Sequence, residues 1–202
     1  MSLNTSTQHL LLETIKIEDG VIHNLNYHQQ RCTQSRKKLY QSTDVLLLKN
    51  VIIPPQKGCY RCRIVYNSTI QSIEYIPYLE KTIKTLKIVS STLKYELKYA
   101  DRASLDTLLQ AYENVDDIII EKDGYITDTS IANLAFYDGT TWYTPKKPLL
   151  HGTMRQKLLD EGFLQIRDIK KENLDQYSQV ALMNAMIGFK IINNPKIILE
   201  TS

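Results

Sequence analysis

Short apolar runs, each closed by a turn residue, dominate the 202-residue chain. Residues 10–17 form an apolar run that reads as a strand, and Asp19-Gly20 then predicts a hairpin into Val21 and Ile22. Asn26 is a suitable N-cap for a helix over 27–40 that is rich in Gln, Arg and Lys. A second helix is predicted over 45–50, before Pro54-Pro55 blocks continuation. Strands follow at 59–66 and 69–76, and residues 77–82 read as a link between two lobes. The second lobe opens with a strand at 86–90. Residues 99–112 place Ala103, Leu105, Leu108 and Leu109 along one helical face. Further strands are predicted at 116–121, from 126 on to 136, and at 142–144, with turns at Asp123-Gly124 and Asp138-Gly139. A helix starting at Gly152 and ending near Gly162 leads to a strand at 163–169, a short helix at 171–176 and last strands at 180–184 and 190–192. The pattern predicts an α+β fold in two lobes, residues 1–80 and 81–202, with antiparallel hairpins predominating. No repeat and no low-complexity tract interrupts it.

Composition narrows the chemistry. Apolar residues are 43% and charged residues 23% of the chain, which suits an ordinary folded domain. There are only seven glycines, and no two lie closer than ten residues. That spacing excludes the glycine-rich dinucleotide turn, the nucleotide phosphate loop and the G-x-S-x-G nucleophile elbow. The net charge of +3 is unevenly distributed: residues 31–100 hold 13 Lys/Arg against 4 Asp/Glu. These cations are scattered and no nucleic-acid-binding motif accompanies them, so nucleic acid is not expected as a partner, whereas anionic small molecules are.

Cys32, Cys59 and Cys62 cannot all pair with one another. Cys59 and Cys62 form a C-x-x-C, but on a strand positions three apart face opposite ways, so zinc and redox roles are not expected. The polar residues 1–7 are expected to fray. No signal peptide and no membrane-spanning run is read, which makes the expected location cytoplasmic with reduced thiols.

Four positions stand out chemically. Lys98 lies between Tyr95, Leu97 and Tyr99, where desolvation would leave its amine neutral and nucleophilic. Asp128 follows a hairpin turn, and Gly152-Thr153-Met154 opens a helix whose N–H groups suit a phosphate. Arg31 sits on the first predicted helix. Taken singly, each also fits a plain role: a solvated lysine, a turn carboxylate, a helix start and a surface arginine.

Six segments in order resemble the class IV aminotransferases, the fold-type-IV enzymes that use pyridoxal 5′-phosphate (PLP). They are Leu12-Glu13-Thr14-Ile15, the His28-to-Ser35 stretch with Arg31, Lys98 with Arg102, Asp123 to Asp128 with Asn133-Leu134, Thr144-Pro145 with Leu150 to Arg155, and Asn184-Ala185-Met186. The last of these is closer to the 4-amino-4-deoxychorismate lyase branch than to the aminotransferases.

The resemblance implies that Lys98 forms the Schiff base with PLP and shuttles a proton at the substrate carbon. It implies that Asp128, where the family usually carries Glu, pairs with the pyridinium nitrogen. Arg31, Gly152, Thr153 and Met154 would hold the phosphate, and Leu150 would cover one ring face. Lys94 competes with Lys98 but lacks the spacing to Arg102. Arg61 and Arg63, on one face of a strand, and Asn184 are candidates for the substrate carboxylates.

The resemblance further implies a small, shortened N-terminal lobe paired with a larger C-terminal barrel-like lobe, the cofactor between the two, and a homodimer. The expected reaction is cleavage of 4-amino-4-deoxychorismate to 4-aminobenzoate and pyruvate. The alternatives are an aminotransferase of branched-chain or D-amino-acid type, and a non-catalytic PLP- or anion-binding relative. The chain is shorter than is usual for the family, and the opening strand with its D-x-G segment is not seen.

Overall fold

The structure, a computed structural model, describes residues 9–199, so the expectation for residues 1–7 lies outside it. The chain packs as two compact units. One runs to Tyr78 and takes back Leu97–Arg102; the other comprises Leu79–Glu96 and continues from Ala103. A boundary at residue 80 therefore misses the return of Leu97–Arg102, and Lys98 packs with the first unit.

The first unit is an antiparallel sheet of β1 (Leu11–Glu18), β2 (Val21–Ile22), β3 (Cys59–Tyr66) and β4 (Ile70–Pro77), in the order β2-β1-β3-β4. Both turn residues between β1 and β2 have positive φ, 47° at Asp19 and 83° at Gly20, as a two-residue hairpin of this twist requires. Helix α1 (Leu25–Tyr40) packs on β1, and Cys32 joins Leu11, Ile15, Ile17, Cys62 and Ile64 in one core. Its N-cap is Asn24 in the left-handed region, not Asn26, because the helix starts almost directly from the hairpin.

The helix expected over 45–50 shrinks to a 3₁₀ turn at Leu48–Asn50. Gln29 takes its place: Gln29 Oε1 accepts the Leu48 N–H (2.8 Å) and Gln29 Nε2 donates to the Leu46 carbonyl (2.9 Å). These backbone groups would otherwise need helical partners. Cys32, Cys59 and Cys62 are all free, and burial pushes the Cys62 thiol up to about 11.

The expected helix over 99–112 is only α2 (Ala103–Gln110). Residues 98–100 are extended instead. The Leu12 N–H donates to the Lys98 carbonyl (2.8 Å), the Ala100 N–H donates to the Leu10 carbonyl (2.8 Å), and Tyr99 bridges Leu11. Pairing with β1 overrides the helical periodicity of this stretch.

The second unit is a nine-stranded mixed sheet. Its main path runs β10-β9-β8-β7-β6-β5-β13, for β5 (Thr85–Ser90), β6 (Asp117–Lys122), β7 (Tyr125–Thr129), β8 (Asn133–Tyr137), β9 (Trp142–Pro145), β10 (Leu164–Arg167) and β13 (Lys196–Ile198). Strand β11 (Gln179–Asn184) pairs with β8 and with β12 (Gly188–Ile192). Antiparallel pairs predominate, but β5/β6, β9/β10 and β13/β5 are parallel. Parallel neighbours need crossovers, which α2 and α3 (Thr153–Asp160) supply for the first two.

The continuous strand expected from 126 to 136 is broken into β7 and β8. Thr129 Oγ1 accepts the N–H groups of Ile131 (3.2 Å) and Ala132 (3.0 Å), which folds a tight turn. That turn sets Asp128 opposite Asn133. Strand β13, which lies beyond the last strand expected from the sequence, is held by its pairing to β5. Leu86, Ile119, Leu134 and Phe136 are buried at the centre of this unit's core. Among the described residues no helix is long and apolar enough to cross a membrane.

Ile119 is fully buried on β6, whereas Ile53 is 80% exposed. Ile119→Ala is expected to lower unfolding free energy by about 2–5 kcal/mol in urea titrations. Ile53→Ala should stay within about 0.5 kcal/mol of the parent.

Candidate active site

Two clusters of polar groups interrupt the apolar cores, one in each unit. The first is built on Glu13. Along β1 the side chains of Leu11, Glu13, Ile15 and Ile17 share one face, and Glu13 is fully buried among them. A lone carboxylate there needs donors, and α1 brings two. The fully buried His28 meets Glu13 Oε2 through Nδ1 at 2.6 Å. Arg31, one turn on, donates from Nε to Oε1 (2.9 Å) and from Nη2 to Oε2 (2.6 Å). Burial alone would raise the Glu13 carboxyl, but Arg31 and His28 outweigh it and hold it at about 2. Burial lowers His28 despite Glu13, so the ring is neutral at neutral pH and its Nδ1 carries the donated proton. Glu13 in turn raises Arg31 against the effect of burial.

Lys98 joins this cluster from the extended segment paired to β1. Burial, followed by the charges of Arg31 and Arg102, lowers its amine to about 7 against the opposing pull of Glu13. Among the described residues its side chain has no hydrogen-bond partner. A lysine in that state is neutral much of the time near pH 7 and can act as nucleophile and base. Lys94, its competitor, is exposed.

The second cluster centres on Asp128. Asn133 Nδ2 donates to Asp128 Oδ1 (2.8 Å) and to the Leu150 carbonyl (2.8 Å), while the Leu150 N–H donates to Asp128 Oδ2 (2.9 Å). A carboxylate can accept about four hydrogen bonds, so these contacts leave room for a further donor. Burial pushes the Asp128 carboxyl up to about 6, although the Leu150, Asn133 and Arg155 contacts all favour its ionised form.

Helix α3 begins beside this clamp with Gly152 as its N-cap and a buried Thr153 as its first residue. A Cβ at Gly152 would stand 2.0 Å from Asn133 Oδ1, so the asparagine clamp requires glycine there. The buried Arg155 locks the helix start to β9, donating to Thr144 Oγ1 (3.2 Å) and to the Pro145 carbonyl (2.9 Å).

The remaining candidates lie elsewhere. Arg63 pairs across strands with Glu74 (3.3 Å) and Arg61 is exposed; both are on the β3 face opposite to Ile64, the residue paired with Glu13. The Asn184 side chain closes the β11–β12 turn, accepting the N–H groups of Met186 (2.8 Å) and Ile187 (3.0 Å) and donating to the Ile131 carbonyl. Glu13, His28, Asn133 and Arg155 were not singled out as site residues in the sequence. The available signal was a charged residue on the inward parity of an apolar strand.

A model of the class IV amino-transferase family matches residues 10–194, and the chain belongs to that family, whose members depend on PLP. An uncharacterized protein of Haemophilus influenzae is 40% identical over 184 residues, covering 88% of this chain and 98% of that one. A protein of Schizosaccharomyces pombe with the provisional name aminodeoxychorismate lyase is 29% identical over 200 residues, covering 87% and 85%. The crystal structure of a Haemophilus somnus 129pt protein, provisionally named 4-amino-4-deoxychorismate lyase, superposes with a TM-score of 0.84 at 40% identity, covering 90% of this chain and 98% of that one. These likenesses place the chain in a two-lobed α+β fold of type IV.

Asp128 has a raised carboxyl, so its contribution to stability is present below its unfolded value of 3.8 and is lost as pH rises through about 6. Glu13 runs the other way: its contribution is present above 4.5 and is lost as pH falls towards 2. The parent, measured without cofactor against Asp128→Asn, should lose about 3 kcal/mol of relative stability between about pH 4 and about pH 7. A constant difference across that range would contradict the assigned burial of the carboxylate.

Proposed function

We propose that this chain is a PLP-dependent enzyme of the 4-amino-4-deoxychorismate lyase type, forming 4-aminobenzoate and pyruvate. The observation that carries the reading is Lys98, a desolvated lysine lowered to about 7 beside Arg31. The names given to the relatives at 40% and 29% identity support the same reaction.

The donor set suits the cofactor. Lys98 supplies the amine that bonds to it, and Arg31 and the α3 N-terminus at Gly152, Thr153 and Met154 supply phosphate donors. Asp128, held by Asn133 and the Leu150 N–H, offers an ionisable carboxylate for the ring nitrogen, and the Leu150 side chain is the candidate ring cover. PLP, once bound, serves as the electron sink for charge that develops on the substrate carbon. Lys98 then acts on the proton at that carbon, a role that needs an amine titrating near neutrality. Asp at position 128 is one methylene shorter than Glu, and donors from Asn133 and Leu150 hold its two carboxylate oxygens. For the substrate carboxylates the candidates are Arg61, Arg63 and Asn184; to take that role Arg63 would have to leave Glu74 and Asn184 would have to leave the β11–β12 turn. A cytoplasmic homodimer acting on a small amino-bearing carboxylate completes the reading.

Purified protein treated with borohydride should retain the cofactor on the peptide that holds Lys98, as read by mass spectrometry. Formation of 4-aminobenzoate should fall to background in Lys98→Ala. No product above that control would sink the lyase reading, and amino-group transfer to a 2-oxo acid without 4-aminobenzoate would assign the aminotransferase reaction. Gly152→Val should weaken PLP binding far more than Gly139→Ala, because a Cβ at Gly152 meets Asn133 whereas one at Gly139 meets nothing. Equal losses in a PLP titration would contradict the assignment of the α3 start.

A further inference from the structure

An arginine side chain reaches far and rotates freely, so its guanidinium plane recognises an anion well only when another group fixes it. In α1 that group is Glu13. It takes the Nε–Nη2 edge of Arg31 in a two-pronged contact and leaves Nη1 without a partner among the described residues. Glu13 is fully enclosed, whereas 13% of the Arg31 side chain is exposed, so the carboxylate stands behind the guanidinium and does not compete for what approaches it. His28, equally enclosed, ties the same carboxylate to α1 three residues earlier on the helix face that carries Arg31.

We propose that Glu13 and His28 are positioning residues that aim Arg31 at the phosphate of the cofactor; this rests on the reading that Arg31 is a phosphate ligand. The arrangement separates aiming from attraction. With His28 neutral, Glu13 and Arg31 cancel in charge, so the set offers a fixed donor in place of a strong positive field. Of the other ionisable neighbours, Tyr66 from β3 and Cys32 from α1 are pushed up and stay neutral, while Lys98, lowered to about 7, is partly charged near pH 7 and feels the charge of Arg102. Those residual charges are present with or without Glu13, so removing Glu13 still makes the site more positive. A carboxylate that merely neutralised Arg31 would weaken anion binding, and its removal would strengthen it. A carboxylate that aims Arg31 has the opposite effect.

The full-length protein, stripped of cofactor, is titrated with PLP and with pyridoxal, the same ring without the phosphate. Glu13→Gln should weaken PLP binding about tenfold or more, the scale seen when a group orienting a ligating side chain is lost. It should do so although it makes the site more positive, and pyridoxal binding should change by less than about twofold on that scale. Arg31→Ala should show the same phosphate-selective loss, and His28→Leu a smaller one. Unchanged or tighter PLP binding in Glu13→Gln, or equal loss of both ligands, overturns the proposal. If Glu13→Gln does not fold, His28→Leu decides by the same comparison. If Arg31→Ala leaves the preference for PLP over pyridoxal intact, the phosphate reading of Arg31 fails and the positioning role with it. If Arg31→Ala abolishes that preference while Glu13→Gln and His28→Leu keep it, only the positioning role fails.

Discussion

Two backbone hydrogen bonds determine where Lys98 lies. Leu12 donates to the Lys98 carbonyl and Ala100 to the Leu10 carbonyl, so a segment far along the chain is stitched to the edge of β1 opposite β3. Without them, residues 99–102 would be free to extend α2, and Lys98 would sit on a solvated helix start. With them, Lys98 enters the neighbourhood of Arg31, Arg102 and Glu13, and burial together with the two arginines lowers its amine. The chemistry of this lysine is thus a consequence of strand pairing before it is a consequence of electrostatics. The pairing also explains why the first unit must recruit Leu97–Arg102 from beyond the next strand: Leu97 completes its apolar core, and Tyr99 packs against that core.

The two polar clusters reach order by different means. Around Glu13, charges in a dry environment compensate one another, and the carboxyl is driven down by the donors that surround it. Around Asp128, the partners are an amide and a backbone N–H, burial wins, and the carboxyl is driven up. A carboxyl that titrates near 6 in the free protein responds strongly to an arriving positive charge, whereas one held at about 2 stays ionised. The first unit therefore presents a fixed ionic arrangement and the second an adjustable one, which fits an anchoring task in one place and an electronic task in the other.

Much of this was legible in the order of residues. The hairpin at Asp19-Gly20, strands β3 and β4, the lysine flanked by aromatics and the start of α3 at Gly152 all follow from local pattern. What escaped local pattern depended on distant partners. Residues 99–102 carry helical periodicity, yet β1 captures them. Residues 45–50 look helical, yet Gln29 takes their backbone groups. Arg31 reads as a solvated arginine until Glu13 is placed opposite it, and no feature of α1 alone announces that pairing. Gly152 was expected near the chemistry as a phosphate-contacting helix start, and the structure adds a separate demand, the proximity of the Asn133 amide.

That demand has a consequence for how the chain can change. Positions 133 and 152 share one small volume: the asparagine amide occupies the space where any side chain at 152 would begin. The two sites are therefore epistatic. A bulkier residue at 152 is tolerable only in a background where position 133 has already become smaller, and that background has lost the amide that steadies Asp128 and the Leu150 loop. Each route by single steps passes through an intermediate lacking part of the clamp, so drift at this pair is blocked even though neither residue performs the chemical step.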